Sequence, residues 1–183
     1  RTSRASAKRD WYIWRDGKNG APPNNWASIF GGSAWEKDEA SGQYYYHAFL
    51  KEQHDLNWRN PEVKQAMWDA IRFWLDMGVD GFRLDAVATL FEDPDLPNHP
   101  FPTPTDQIPD PNSLNAIDYE ILMQYQIRQP GMHELMQELR ALLDEYPGDR
   151  LLIGEDDDVS FHGPDDNELH LVFNFPLMHL KRL

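Results

Sequence analysis

Two carboxylates and one arginine stand where the sequence around them is otherwise building an interior. Asp85 comes near the end of Val79-Asp80-Gly81-Phe82-Arg83-Leu84-Asp85-Ala86-Val87, and Glu155 closes Leu151-Leu152-Ile153-Gly154-Glu155. Each run reads as a short strand. Side chains alternate along a strand, so Phe82, Leu84 and Ala86 share one face while Arg83, Asp85 and Val87 share the other. An ionised group in a dry interior needs a partner. One reading is a structural Arg83–Asp85 pair. The other is a catalytic carboxylate: Arg83 favours the charged form of Asp85, and an ionised carboxylate at the C-terminal end of a strand is placed for nucleophilic attack. These residues alone leave both readings open.

The elements that must position the three groups alternate helix with strand. Residues 60–77 carry the strongest helix signal. Asn60 is a good N-cap, Pro61 suits the first helical position and Glu62 complements the helix dipole. Val63, Ala66, Met67, Ala70, Ile71, Trp74 and Met77 form one apolar stripe expected to be core, and Gly78 is a fitting stop. The strand bearing Asp85 follows at once. Residues 133–146 are a second helix, with Leu135, Met136, Leu139, Leu142 and Leu143 as its stripe. The apolar run Leu151-Leu152-Ile153 then suits a parallel strand covered on both sides. Residues 169–175 alternate enough for a third strand. Helix followed by buried strand, twice over, predicts an α/β fold.

The rest is irregular. Residues 1–57 are rich in Gly, Pro, Asn and aromatics, with turn signals at Asn19-Gly20, Pro22-Pro23-Asn24-Asn25 and Gly31-Gly32. Residues 43–50 suit a strand. Residues 88–130 hold seven prolines between Pro94 and Pro111 and read as a long loop with short helical pieces at most, either a pocket rim or a bare linker. Asp156-Asp157-Asp158 and Asp165-Asp166 offer oxygen ligands but lack the EF-hand spacing. A solvated acidic loop is the expectation there, and no metal or cofactor motif is present.

The chain has 183 residues, of which 40% are hydrophobic, enough for a substantial core. A net charge of −14 argues against nucleic acid or an anionic membrane as partner. Cys is absent, so no disulfide framework exists, which suits a reducing, cytoplasmic setting. No segment is apolar and long enough to span a bilayer, and the polar, basic stretch Arg1 to Arg9 is unlike a signal peptide. Seven Trp within 13% aromatic residues suit stacking on sugar faces as well as any core.

Asp80-Gly81-Phe82-Arg83-Leu84-Asp85 resembles the nucleophile motif of the alpha-amylase superfamily of glycoside hydrolases. Leu151-Leu152-Ile153-Gly154-Glu155 resembles the next barrel strand of that family, which ends in its acid/base Glu. Trp11-Tyr12-Ile13-Trp14-Arg15-Asp16, Asn24-Asn25-Trp26, Phe30-Gly31-Gly32-Ser33-Ala34-Trp35 and Asp55-Leu56-Asn57-Trp58 are similar to the alpha-glucosidase and oligo-1,6-glucosidase branch. The resemblance runs over nearly the whole chain and is weakest at residues 93–130. His54 departs from it, standing where the family usually has Pro.

The resemblance implies a (β/α)8 barrel, here about strands four to six (residues 58–183), with most of an inserted domain B (residues 1–57). A complete barrel needs roughly 250 residues, so an internal piece is expected. The resemblance also implies a retaining alpha-glucosidase acting on a small oligosaccharide, with Asp85 as nucleophile, Glu155 as acid/base and Arg83 as electrostatic partner. Glu155, ending an apolar run near another carboxylate, suits the protonated role because burial and a like charge both disfavour ionisation. Phe30 and Phe49 match aromatic positions that face substrate, the plainer alternative being two packing phenylalanines. Ala86 matches the position after the nucleophile, where a small residue goes with alpha-1,4 links and Val with alpha-1,6. The family also carries a third catalytic Asp and a strand-three Asp and His that nothing here matches, so this stretch by itself is expected neither to close a barrel nor to turn over substrate. A transglycosylase or isomerase of the same superfamily and a non-catalytic barrel scaffold are the alternatives.

Overall fold

The computed structural model describes residues 4–175 and 177. Along the chain it forms strands β1 (Trp14–Arg15), β2 (Trp35–Lys37) and β3 (Tyr44–Tyr46), helix α1 (Pro61–Asp76), strand β4 (Gly81–Leu84), helices α2 (Ala116–Met123) and α3 (Met132–Asp144), and strands β5 (Leu151–Gly154) and β6 (Leu171–Val172). The chain divides into two compact units. The first takes residues 1–63 and 89–129, the second residues 64–88 and 130–183.

The first unit has little regular structure. β1, β3 and β2 form a small antiparallel sheet in that order, with Trp14 opposite Tyr45 and Trp35 opposite Tyr46. Ile13, Trp26, Ala34, Trp35, Tyr44, Tyr46, Ala48 and Leu96 make its main core. Trp26 is fully buried, stacked on Trp35 at 6.2 Å and edge-on to Tyr46 at 5.7 Å. The proline-rich segment belongs to this core and is not a bare linker. Trp26 donates its indole N–H to Pro97 O at 2.7 Å, Asn24 Nδ2 donates to Leu96 O at 3.2 Å, and Asn25 exchanges hydrogen bonds with the His99 backbone at 2.9 and 3.1 Å. Buried Gln126 donates to Ala27 O at 2.8 Å. Prolines remove backbone donors, so a segment of this kind is tied down through its carbonyls, and side-chain amides are the groups that reach them. His54 lies flat on Tyr45, with centroids 3.8 Å apart.

The second unit is regular. β4, β5 and β6 are parallel and ordered as in the chain. Leu135, Met136, Leu139, Leu142 and Leu143 of α3 are all buried, as the periodicity predicts. Asn60 caps α1 by accepting from Glu62 N at 2.9 Å, and Gly78 ends it in the left-handed region at φ 92°, where a Cβ is disfavoured. Gly81 is needed for a different reason: a Cβ there would lie 2.0 Å from Leu151 O on the neighbouring strand.

Three expectations need correction. The buried side of α1 runs through Val63 and Leu75, with Met67 and Ile71 half-buried, whereas Ala70, Trp74 and Met77 of the expected stripe are exposed together with Phe73. The burial line follows the four-residue ridge 63, 67, 71, 75, so three of the seven stripe residues turn away from it. Leu151 is 39% exposed, so β5 is not covered on both sides at its start. The alternation from Val79 to Val87 stops at Leu84. Ala86 takes φ 43°, and Val87 turns inward to complete burial instead of sharing a face with Asp85.

Candidate active site

The register of the parallel sheet builds the site. Leu84 pairs with Gly154, and the ladder continues one step further, with Glu155 N donating to Leu84 O at 2.9 Å. Asp85 and Glu155 are therefore the residues that follow a matched pair on adjacent strands, which lie about 4.8 Å apart. Parallel strands have their C-terminal ends on one side, so both carboxylates emerge at the same rim. Arg83 bridges them. Its Nη1 contacts Asp85 Oδ1, and its Nη2 lies 2.7 Å from Glu155 Oε2. The Ala86 N–H also donates to Glu155 Oε2, at 3.3 Å, from the left-handed turn that ends the strand.

A hydrogen bond with the Glu155 side chain holds the Asp85 carboxyl below the usual carboxylate range; burial opposes this, and the Arg83 guanidinium adds to the lowering. The Asp85 side chain is 76% exposed, against 29% for Glu155. Of the pair, Asp85 is open and held ionised, as a nucleophile must be, while Glu155 is the more enclosed. Phe173, just past β6, stacks under Arg83 with 5.7 Å from guanidinium carbon to ring centroid. The sequence carries no local signal for that contact: Phe173 stands eighteen positions beyond Glu155, and only the folded sheet brings it to Arg83.

Phe30 and Phe49 lie in the first unit. Their rings meet edge to face at 5.7 Å, Phe30 is 56% exposed, and both line a cleft of about 350 Å³ with Ser28, Trp35, Glu36 and His47. Phe49 is partly buried and also packs against the core around Trp26 and Trp35, while Phe30 is the more open of the two. In the acidic loop after Glu155, Asp156 accepts the Asp158 N–H and Asp158 accepts the Ser160 N–H, both at 2.9 Å, so these carboxylates organise the turn itself. Among the described residues no cluster of three or more His, Cys, Asp or Glu side chains is placed to hold a metal ion. No helix among them is long and apolar enough to cross a membrane.

The chain matches the family described as alpha amylase, catalytic domain, over residues 1–183. It is 41% identical over 187 residues to the oligo-1,6-glucosidase of Parageobacillus thermoglucosidasius and 38% identical over 192 residues to the alpha-glucosidase of Schizosaccharomyces pombe. Each match covers 98% of this chain and 31% of the relative, so the chain spans about a third of the length of these proteins. Among solved structures, the isomaltulose synthase of Erwinia rhapontici superposes with a TM-score of 0.77 at 40% identity, covering 97% of this chain and 30% of that one. The matched strand ends, the bridging arginine and these similarities together place the chain in the alpha-amylase catalytic-domain family of glycoside hydrolases.

Proposed function

We propose that this chain is the central part of a retaining alpha-glucosidase. In this reading residues 58–183 are about strands four to six of a (β/α)8 barrel, and residues 1–57 are most of the inserted domain B. The observation that carries it is the pairing of Leu84 with Gly154, which sets Asp85 and Glu155 side by side under one arginine. Asp85 attacks the anomeric carbon as Glu155 gives its proton to the departing glycosidic oxygen, leaving a covalent glycosyl–Asp85 ester. Glu155, now a carboxylate, takes a proton from water, which displaces Asp85 and restores the starting configuration. Arg83 keeps Asp85 ionised between turnovers. Phe30 and Phe49 offer apolar faces to the substrate's sugar rings.

The test is time-resolved proton NMR on the full-length enzyme with maltose. Alpha-glucose released first from the non-reducing end supports the assignment, and beta-glucose first removes Asp85 from the nucleophile's role. Asp85→Asn should abolish turnover in the same assay.

The small side chain of Ala86 leaves room beside the scissile bond, and we infer a preference for alpha-1,4 over alpha-1,6 links. Ala86→Val should lower the ratio of maltose to isomaltose turnover. The ratio is the proper readout, because a β-branched residue at φ 43° is strained and would slow both substrates. A ratio that does not move counts against the inference. The likeness to an isomaltulose synthase favours one second reading, an isomerase that passes the glycosyl group to a sugar hydroxyl instead of water. Sucrose converted to an isomer without net release of glucose would select it.

A further inference from the structure

Ser28 and His47 line the same cleft as the Phe30–Phe49 pair, and both are almost completely buried, at 2% and 5% exposure. Ser28 bonds to both aromatic residues. Its hydroxyl donates to Phe49 O at 2.7 Å, and its oxygen accepts the Phe30 N–H at 3.2 Å. His47 Nδ1 also bonds to Phe49 O, at 2.9 Å. A carbonyl can only accept, so the ring carries its proton on Nδ1. Nε2 is then a buried acceptor with no partner among the described residues, an arrangement that costs free energy an apolar residue would not. Burial holds His47 below the ordinary imidazole range, so the ring stays neutral. The backbone adds a third tie, Ile29 N to Ala48 O at 2.7 Å. The two polar groups thus fix one carbonyl from two directions and hold both phenylalanines through a single hydroxyl.

We propose that Ser28 and His47 are positioning residues that lock Phe30 and Phe49 into a fixed platform for one apolar face of a substrate sugar. A platform of this kind touches the sugar equally before and during reaction, so loosening it weakens binding without slowing chemistry. The inference rests on the substrate-facing reading of the two phenylalanines given above.

The experiment measures KM and kcat for maltose in the full-length enzyme. Ser28→Ala and His47→Leu should each raise KM about tenfold, the equivalent of roughly one lost buried hydrogen bond, and leave kcat within about twofold. His47→Asn, whose amide N–H can replace the Nδ1 donor, should restore KM. Equal KM values for His47→Leu and His47→Asn, or a Ser28→Ala variant with unchanged KM, would overturn the proposal. If Ser28→Ala fails to fold, the two His47 variants decide alone. Phe30→Ala and Phe49→Ala separate the two levels of the argument. If neither raises KM, the platform itself is wrong; if they do and the lock variants do not, only the lock is wrong.

Discussion

The two units of this chain hold their candidate functional residues in opposite ways. In the second unit the backbone does the positioning: a parallel ladder matches Leu84 with Gly154, and the next residues are Asp85 and Glu155. In the first unit side chains do it. Asn24, Asn25, Ser28, His47 and Gln126 each reach the backbone of a distant or neighbouring loop, and the strands among the described residues there are two or three residues long. A ladder tolerates changes in most side chains, because its bonds belong to every residue. A loop scaffold is specified by particular amides, hydroxyls and indoles. Substitutions away from the reacting groups should therefore be felt more in the first unit than in the second.

The largest expected effect lies in the second unit and concerns chemistry, not folding. Glu155→Gln keeps the shape and the Ala86 N–H contact but removes the carboxyl that the proposed mechanism uses as proton donor, so kcat/KM should fall by about 10²–10⁴ with a thermal midpoint close to wild type. A full activity loss accompanied by unfolding would mean that Glu155 holds the sheet together, and the contrast between the units would weaken. Next comes Trp26→Ala in the first unit. It empties a fully buried indole site and frees Pro97 O, and it should cost about 3–5 kcal/mol in chemical denaturation. A cost within the range of a surface substitution would sink the claim that this residue anchors the proline-rich segment.

A smaller effect comes from Asp55, again in the first unit. Burial pushes its carboxyl up to about 7; the Ala48 N–H, at 2.6 Å, partly offsets this and the Glu92 carboxylate adds to it. An unfolded Asp titrates near 3.9, so between about pH 4 and pH 7 the folded chain binds the extra proton. Stability should thus decline as pH rises through that window and level off above it. Asp55→Asn should flatten most of the slope in urea midpoints measured from pH 4 to 8, with a residue left to Glu92, whose carboxyl burial also raises. The smallest effect expected is at the Lys64–Glu138 ion pair of the second unit, 2.8 Å long and partly exposed on both sides. Glu138→Gln should change stability by less than about 1 kcal/mol. A larger loss would show that helix surfaces in this unit are more side-chain dependent than the comparison holds.

The site and its frame were legible to different degrees. The buried stripe of helix α3 follows from its periodicity, although the helix runs from Met132 to Asp144 and not to residue 146, and α1 begins one residue after its cap. Its apolar stripe is broader than its buried face, because Ala70, Trp74 and Met77 have the spacing of a core stripe but lie beside the ridge that is covered. The irregular first unit hid its organisation, since no periodicity announces that Asn24 and Asn25 will hold carbonyls more than seventy residues away.

By itself, the sequence determined which residues could do the chemistry and that each would close a strand. Those facts are local: alternation, helical period, a cap, a glycine. The tertiary structure alone decided that the two strands are neighbours in a register that matches Leu84 with Gly154, that the first strand ends in a left-handed turn whose N–H meets Glu155, and that Phe173 comes to rest against Arg83. Register and contact between distant segments are set by how whole elements pack, and a shift of one residue between the strands would turn every side chain of one to its other face.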